Sequence, residues 1–200
     1  MNYDKIIATA AQEMRASGIR KFFDIAAEMK DCISLGVGEP DFKTPWAVRD
    51  AGIRNLEMGQ TRYTSNSGMK ELRTEICKYL DRRFDLHYDP DSQVLVTVGG
   101  SEAIDIGIRA LVNPGDEVII PEPCYVCYDP ITHLTGGKVV SIPLQEKNQF
   151  RLTAEELKAA ITPRTKMLIL PFPCNPTGAV MGKEDLEAIA EVLRGTDIMV

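Results

Sequence analysis

Three short segments of this 200-residue chain carry residue types that could hold a flat, anionic ligand. In Gly99-Gly100-Ser101, two glycines let the backbone approach a ligand closely. A helix starting there aims free N–H groups and the positive end of its dipole at a negative charge. With the Ser101 hydroxyl added, the segment reads as a phosphate cradle, or else as a tight strand-to-helix turn with Ser101 as an ordinary N-cap. In Pro121-Glu-Pro-Cys-Tyr125 the tyrosine could lie over a planar ring, or could be a core or rim residue. In Asn175-Pro-Thr-Gly178 an asparagine fixed by the following proline can present its amide to a phenolic or carbonyl oxygen, and the bland alternative is a plain Asn-Pro turn.

Other constellations carry less. G-x-G-x-x-G fails because the glycine after Gly100 is Gly107, and a G-x-x-x-x-G-K-[ST] loop is absent. Cys124-Tyr-Val-Cys127 has C-x-x-C spacing, but no second such pair exists and the only histidines are His87 and His133. Small side chains beside a turn are therefore favoured over zinc or redox chemistry. Lys70, three residues after Ser67, reads as a solvated helix position rather than half of a serine-lysine pair. Glu102 and Asp105 read as dipole partners in the first turn of the helix after Ser101.

The elements that must position these segments alternate. Ile19, Phe22, Phe23, Ala26 and Met29 are spaced for one helical face, Ile33–Leu35 reads as a short strand, and Pro45 opens a further helix. A helix is expected over 68–84, then a β-branched strand Val94–Val98, a helix from Gly100, and a strand Glu117–Ile120. There follow a helix near 125–135, a strand Lys138–Ile142, a helix opened by the capping box Thr153-Ala-Glu-Glu156, a strand Lys166–Leu170 and a helix over Lys183–Arg194. Near-continuous apolar strands between amphipathic helices predict an α/β fold, three-layer α/β/α with a mostly parallel sheet. Ligands of such sheets collect beyond the carboxyl ends of the strands, where all three segments lie.

Composition bounds the rest. The balance of 44% hydrophobic and 26% charged residues is that of a soluble globular protein. With 23 basic against 29 acidic residues, net charge −6, and no basic cluster, nucleic acid and anionic membrane surfaces are poor partners. No stretch approaches the roughly 18 apolar residues of a membrane span, and the polar N-terminus lacks a secretory pattern. Five cysteines, an odd number, read as reduced thiols, so a cytoplasmic location is expected.

The set of motifs, with its order and spacing, is specific. G-E-P-D-F at 38–42, R-Y-x-x-x-x-G at 62–68, V-T-V-G-G-S at 96–101, N-P-G-D-E-V at 113–118, P-C-Y-V at 123–126 and N-P-T-G at 175–178 resemble the class I/II aminotransferases, pyridoxal-phosphate enzymes of fold type I. The resemblance covers nearly the whole chain from about Ile19. It implies that Gly99, Gly100 and Ser101 hold the cofactor phosphate, Tyr125 stacks on the pyridine ring and Asn175 donates to the ring 3′-oxygen. It also implies that Gly38 lines the substrate pocket near the carboxylate, and that Tyr63 reaches the phosphate of a neighbouring subunit, which makes the protein a homodimer. The organisation implied is an arm and small-domain segment over 1–44, then the N-terminal part of the large cofactor-binding domain over 45–200.

In such enzymes the aspartate facing the pyridine nitrogen, the Schiff-base lysine and the carboxylate-gripping arginine lie downstream of N-P-T-G. No catalytic residue is thus expected within this chain, whose final apolar run Asp197–Val200 suggests a cut. A protein ending at Val200 is expected to be inactive alone. The implied activity is transfer of an amino group from an amino acid to a 2-oxo acid, as in amino acid metabolism, with Tyr125, Cys124 and Cys127 leaning towards aromatic or broad-range substrates. Two alternatives are a C–S β-lyase on the same cofactor and a non-catalytic pyridoxal-phosphate-binding sensor module.

Overall fold

The computed structural model describes residues 5–14, 18–31, 33, 36, 38, 40 and 42–200. The strand expected at Ile33–Leu35 and much of the turn after it lie outside these. The chain divides into two compact units, one comprising the N-terminal helix together with Val98–Val200, the other running from the second helix to Thr97.

The larger unit is built on a parallel sheet. Among the described residues β1 (Glu117–Glu122) is central, with β2 (Lys138–Pro143) on one side and β3 (Thr165–Leu168) on the other. Met199 extends the sheet past β3 by a parallel bridge to Met167, its N–H donating to the Lys166 carbonyl and its carbonyl accepting from Leu168 N–H. Because strand side chains alternate between faces, β1 serves two cores. Ile119 packs with Ile142 and Leu168 under α7 (Ala154–Ala160) and α8 (Lys183–Leu193), through Leu157 and Ile189. Val118, Ile120 and Met167 pack under α5 (Gly100–Leu111) and α6 (Tyr128–Leu134), through Ile108, Tyr128 and Ile131. The result is the predicted three-layer α/β arrangement, with Val118, Ile119 and Ile120 sealed from solvent on both faces.

The capping box at α7 is present: Thr153 Oγ1 accepts from Glu156 N–H, and the Glu156 carboxylate accepts from Thr153 N–H at 3.0 Å. At the start of β1, Glu117 is buried and bound by the Thr162 hydroxyl and by the Arg164 guanidinium at 2.6 Å. These partners, Thr162 first and Arg164 next, hold its carboxyl below the ordinary 4.5. A depressed folded-state value contributes stability above the unfolded value, and that stability is lost as pH falls through the folded one. The urea midpoint should therefore fall more steeply between neutral pH and about pH 3 for the wild type than for Glu117→Gln, measured by far-UV circular dichroism.

The smaller unit holds α2 (Ile19–Glu28), α3 (Trp46–Glu57) and α4 (Lys70–Phe84). Pro45, expected as the first helical residue, is the N-cap of α3, and the helix begins one position later at Trp46. The expected strand Val94–Val98 is not assigned as a strand among the described residues, and the Val96 N–H donates to the Ser67 carbonyl. A β-branched run becomes a strand only where a neighbour pairs with it in a ladder. Arg73 is buried in α4, its guanidinium donating to the carbonyls of Gly68 and Pro90 and so tying the two ends of this region together. Lys70 pairs with Asp91 at 2.9 Å on the surface, in keeping with the solvated-face reading.

Candidate active site

The chain path makes a crevice at the carboxyl ends of the strands. From β1 it moves through α6 to β2, and from β2 through α7 it crosses back over β1 to β3. The segment leaving β1 therefore turns to the α5–α6 face, whereas the one leaving β3 turns to the α7–α8 face. Between those diverging segments lies a topological switch point, the place where open α/β sheets bind ligands. Pro121–Tyr125 and Pro171–Gly178 are the segments that diverge.

Gly99 is the N-cap of α5, with φ 86° and ψ 166°, a backbone conformation that side chains with a Cβ rarely adopt. A Cβ placed at Gly99 or Gly100 would meet no atom within 4 Å, so the backbone there is open to an approaching group. Gly99→Ala should cost about 1–3 kcal/mol through backbone strain alone, read as a drop in thermal stability without any loss of packing.

Ser101 is not the N-cap. It is the second residue of α5, and its hydroxyl shares a 3.1 Å hydrogen bond with the Tyr125 hydroxyl. The first-turn N–H groups of any helix lack intrahelical acceptors, and here they lie beside that hydroxyl pair. Glu102, the one carboxylate in this turn, is folded back and accepts from the Val98 N–H. It thereby repeats, one residue earlier, the backward reach of a capping box and leaves the turn able to receive an anion.

Tyr125 is a rim residue, about a third exposed, and is braced edge-to-face by Tyr128 with ring centroids 5.9 Å apart. Asn175 is exposed in a loop closed by two backbone bonds, Gly178 N–H to the Cys174 carbonyl at 2.8 Å and Cys174 N–H to the Ala179 carbonyl at 2.9 Å. The buried Cys174 thiol donates across to the Pro123 carbonyl at 3.3 Å, which joins the Asn175 loop to the Tyr125 loop. The structure thus joins the Gly99–Ser101 turn to Tyr125 through the hydroxyl pair, and the Asn175 loop to the Tyr125 loop through the Cys174 thiol. Gly38 and Tyr63 belong to the smaller unit. Gly38 is exposed, and Tyr63 is fully exposed beside a cleft of about 470 Å³ that Asn55, Gln60, Arg62, Ser65 and Lys70 also line.

The C-x-x-C pair flanks this crevice. Burial first, and then the Glu122 carboxylate, push the Cys124 thiol up to about 11. Burial also raises Cys127, opposed by a hydrogen bond from the Ser101 hydroxyl. Both stay protonated near neutral pH, which does not suit a nucleophilic or redox-poised thiolate. Sequence reasoning missed the Cys174 bridge and the Glu102 reach-back. A glutamate three residues beyond a helix's first glycine was a visible signal for the second, while nothing in the sequence pointed to the first. Elsewhere, at the end of α4, His87 lies 2.8 Å from Asp81 and 3.4 Å from Asp85, all on the exposed surface.

Comparison with known proteins decides the family. The aminotransferase class I and II family matches residues 30–200. The chain belongs to that family. It is 53% identical over 189 residues to a putative aminotransferase of Bacillus subtilis, covering 94% of this chain and 49% of that protein. It is 47% identical to an aspartate aminotransferase of Pyrococcus abyssi, covering 92% and 47%. The solved aspartate aminotransferase of Thermus thermophilus with maleate superposes with a TM-score of 0.89 at 36% identity, covering 96% of this chain and 52% of that one. The chain spans about half the length of these relatives. Among the described residues of this family member, no helix is long and apolar enough to cross a membrane.

Proposed function

We propose that this chain forms the cofactor-holding part of a pyridoxal-phosphate-dependent aminotransferase, which moves an amino group from an amino acid to a 2-oxo acid in the cytoplasm. The observation that carries the reading is the meeting of the Ser101 and Tyr125 hydroxyls at the amino end of α5, in the crevice that the Asn175 loop borders.

The residues present suit the cofactor. Its phosphate needs donors and a positive potential, and the first turn of α5 supplies N–H groups, the helix dipole and the Ser101 hydroxyl, over glycines whose missing side chains leave room. In this reading Gly99, Gly100 and Ser101 hold the phosphate, Tyr125 lies on the ring, and the Asn175 amide donates to the ring oxygen. Gly38 borders the substrate carboxylate. Tyr63 of a second copy completes the phosphate site, so that the working unit is a homodimer. Residues 45–200 then belong to the large cofactor domain and 1–44 to the arm and small domain.

When bound, pyridoxal phosphate supplies an electron sink for the bond broken at the amino acid's α-carbon. The residues assigned here bind and orient, and none is given a proton-transfer role. Tyr125 and Tyr128, braced against each other, fix the plane in which the ring lies. Asn175, donating to the ring oxygen, favours its anionic form. The family members compared include aspartate enzymes, and Tyr125, about a third exposed, with Cys124 and Cys127 gives the lean towards aromatic or broad-range donors.

Purified protein carrying this chain should bind pyridoxal phosphate with a visible absorbance band, and should form a new amino acid from an amino donor and a 2-oxo acid. Pyruvate released from cystathionine without any oxo acid would identify a C–S β-lyase instead. Cofactor binding with no turnover of either kind would favour the sensor module.

A further inference from the structure

The Cys174 thiol lies between the two segments that diverge at the switch point, yet the reading above gives it no role. It is 5% exposed and precedes Asn175 directly. Its backbone is held on both sides, carbonyl accepting from Gly178 N–H and N–H donating to the Ala179 carbonyl, so the loop's own bonds fix the conformation around Asn175. Those bonds are local and leave open where the loop sits relative to β1. The thiol supplies the long-range tie: its donation to the Pro123 carbonyl spans 51 residues of sequence and ends two residues before Tyr125. On that side Tyr125 is already fixed by Ser101 at 3.1 Å and by Tyr128.

We propose that Cys174 is a positioning residue, a clamp that sets the spacing between the Tyr125 ring and the Asn175 amide and so tunes how the crevice grips the ring of a planar phosphate-bearing ligand while leaving the phosphate cradle untouched. The proposal rests on reading the crevice as a pyridoxal phosphate site. It deepens that reading by separating ring recognition, which the clamp governs, from phosphate recognition at the amino end of α5. The bond joins the neutral thiol to a neutral carbonyl, and a thiol is a weak donor, so its contribution is modest and geometric.

The test compares Cys174→Ala with Cys174→Ser in the purified protein. In ligand-free samples, hydrogen–deuterium exchange should quicken in Cys174→Ala for peptides covering both 122–128 and 174–180, and return towards the wild-type rate in Cys174→Ser, whose hydroxyl can still donate. With ligand, the Kd for pyridoxal phosphate should rise about fivefold in Cys174→Ala, while competition by inorganic phosphate is unchanged. The induced circular dichroism of the bound ring should shift. Equal weakening of pyridoxal phosphate and inorganic phosphate would mean general loosening and would overturn the clamp, as would exchange that quickens only at 174–180, or no change in either measurement. Failure of the wild type to bind pyridoxal phosphate would instead overturn the functional reading, and the exchange experiment would still decide whether Cys174 joins the two loops.

Discussion

Ser101→Ala is expected to weaken pyridoxal phosphate binding about thirtyfold while leaving thermal stability unchanged. A hydroxyl donating to a phosphate dianion makes a charge-assisted bond, and deleting such bonds costs about 1.5–3 kcal/mol. The stability half of the expectation separates two roles for the residue. Were Ser101 an N-cap, alanine would lower helix stability by about 1 kcal/mol, but the cap position belongs to Gly99 and Ser101 makes no capping bond. Ser101→Thr keeps the hydroxyl and should retain most of the affinity. Fluorescence titration with pyridoxal phosphate, beside a thermal melt of the ligand-free protein, checks both halves, and a melt that drops with unchanged affinity would reverse the assignment.

The largest stability effect should come from Gly68→Ala in the smaller unit. Gly68 has φ 91°, and a Cβ there would stand 2.6 Å from Val96 Cβ and 2.8 Å from its Cγ2. Two separate penalties follow: backbone strain of about 1–3 kcal/mol, and a clash with a branched side chain whose Cβ is fixed to the backbone, costing about as much. Together they should remove about 2–6 kcal/mol, enough to unfold this unit in much of the population. Val96→Ala removes the Cγ2 contact but keeps the Cβ at 2.6 Å, so Gly68→Ala/Val96→Ala should recover only a small part of the loss and leave both the strain and the Cβ contact. The chain's single tryptophan, Trp46, lies in α3 of the same unit, and its fluorescence reports this unit's unfolding directly. Full recovery in the double variant would show that the φ angle costs nothing.

What the sequence disclosed follows from how local each signal is. The capping box at Thr153, the glycine start of α5 and the alternation of strands with amphipathic helices depend on neighbours a few residues away, and each appears in the structure within a residue or two. Val94–Val98 misled because apolar, β-branched character marks a segment as able to pair and cannot say whether a partner is there. At the site, residue types and spacing pointed to the cradle and to Tyr125 and Asn175, but the hydroxyl pair of Ser101 and Tyr125 joins positions 24 apart and could not be read from either segment. The Cys174 to Pro123 bond, over twice that separation, left no mark in the sequence at all. Glu102 sits in the first turn, where a partner of the helix dipole is expected, but its carboxylate is engaged by a backbone N–H just outside the helix.

The central strand divides its side chains between two cores, and this has a consequence for how the protein can change. Ile119 faces α7 and α8, whereas Val118 and Ile120 face α5 and α6, the helices that flank Ser101 and Tyr125. The sheet acts as a partition. A void opened beneath Leu157 or Ile189 is felt on the face towards which the Asn175 loop turns, and one opened beside Ile108 loosens the helix that carries Ser101 in its first turn. Volume changes on the α7–α8 side would accordingly reach the Asn175 loop through Leu170 and Phe172, and those on the α5–α6 side would reach Ser101 and Tyr125.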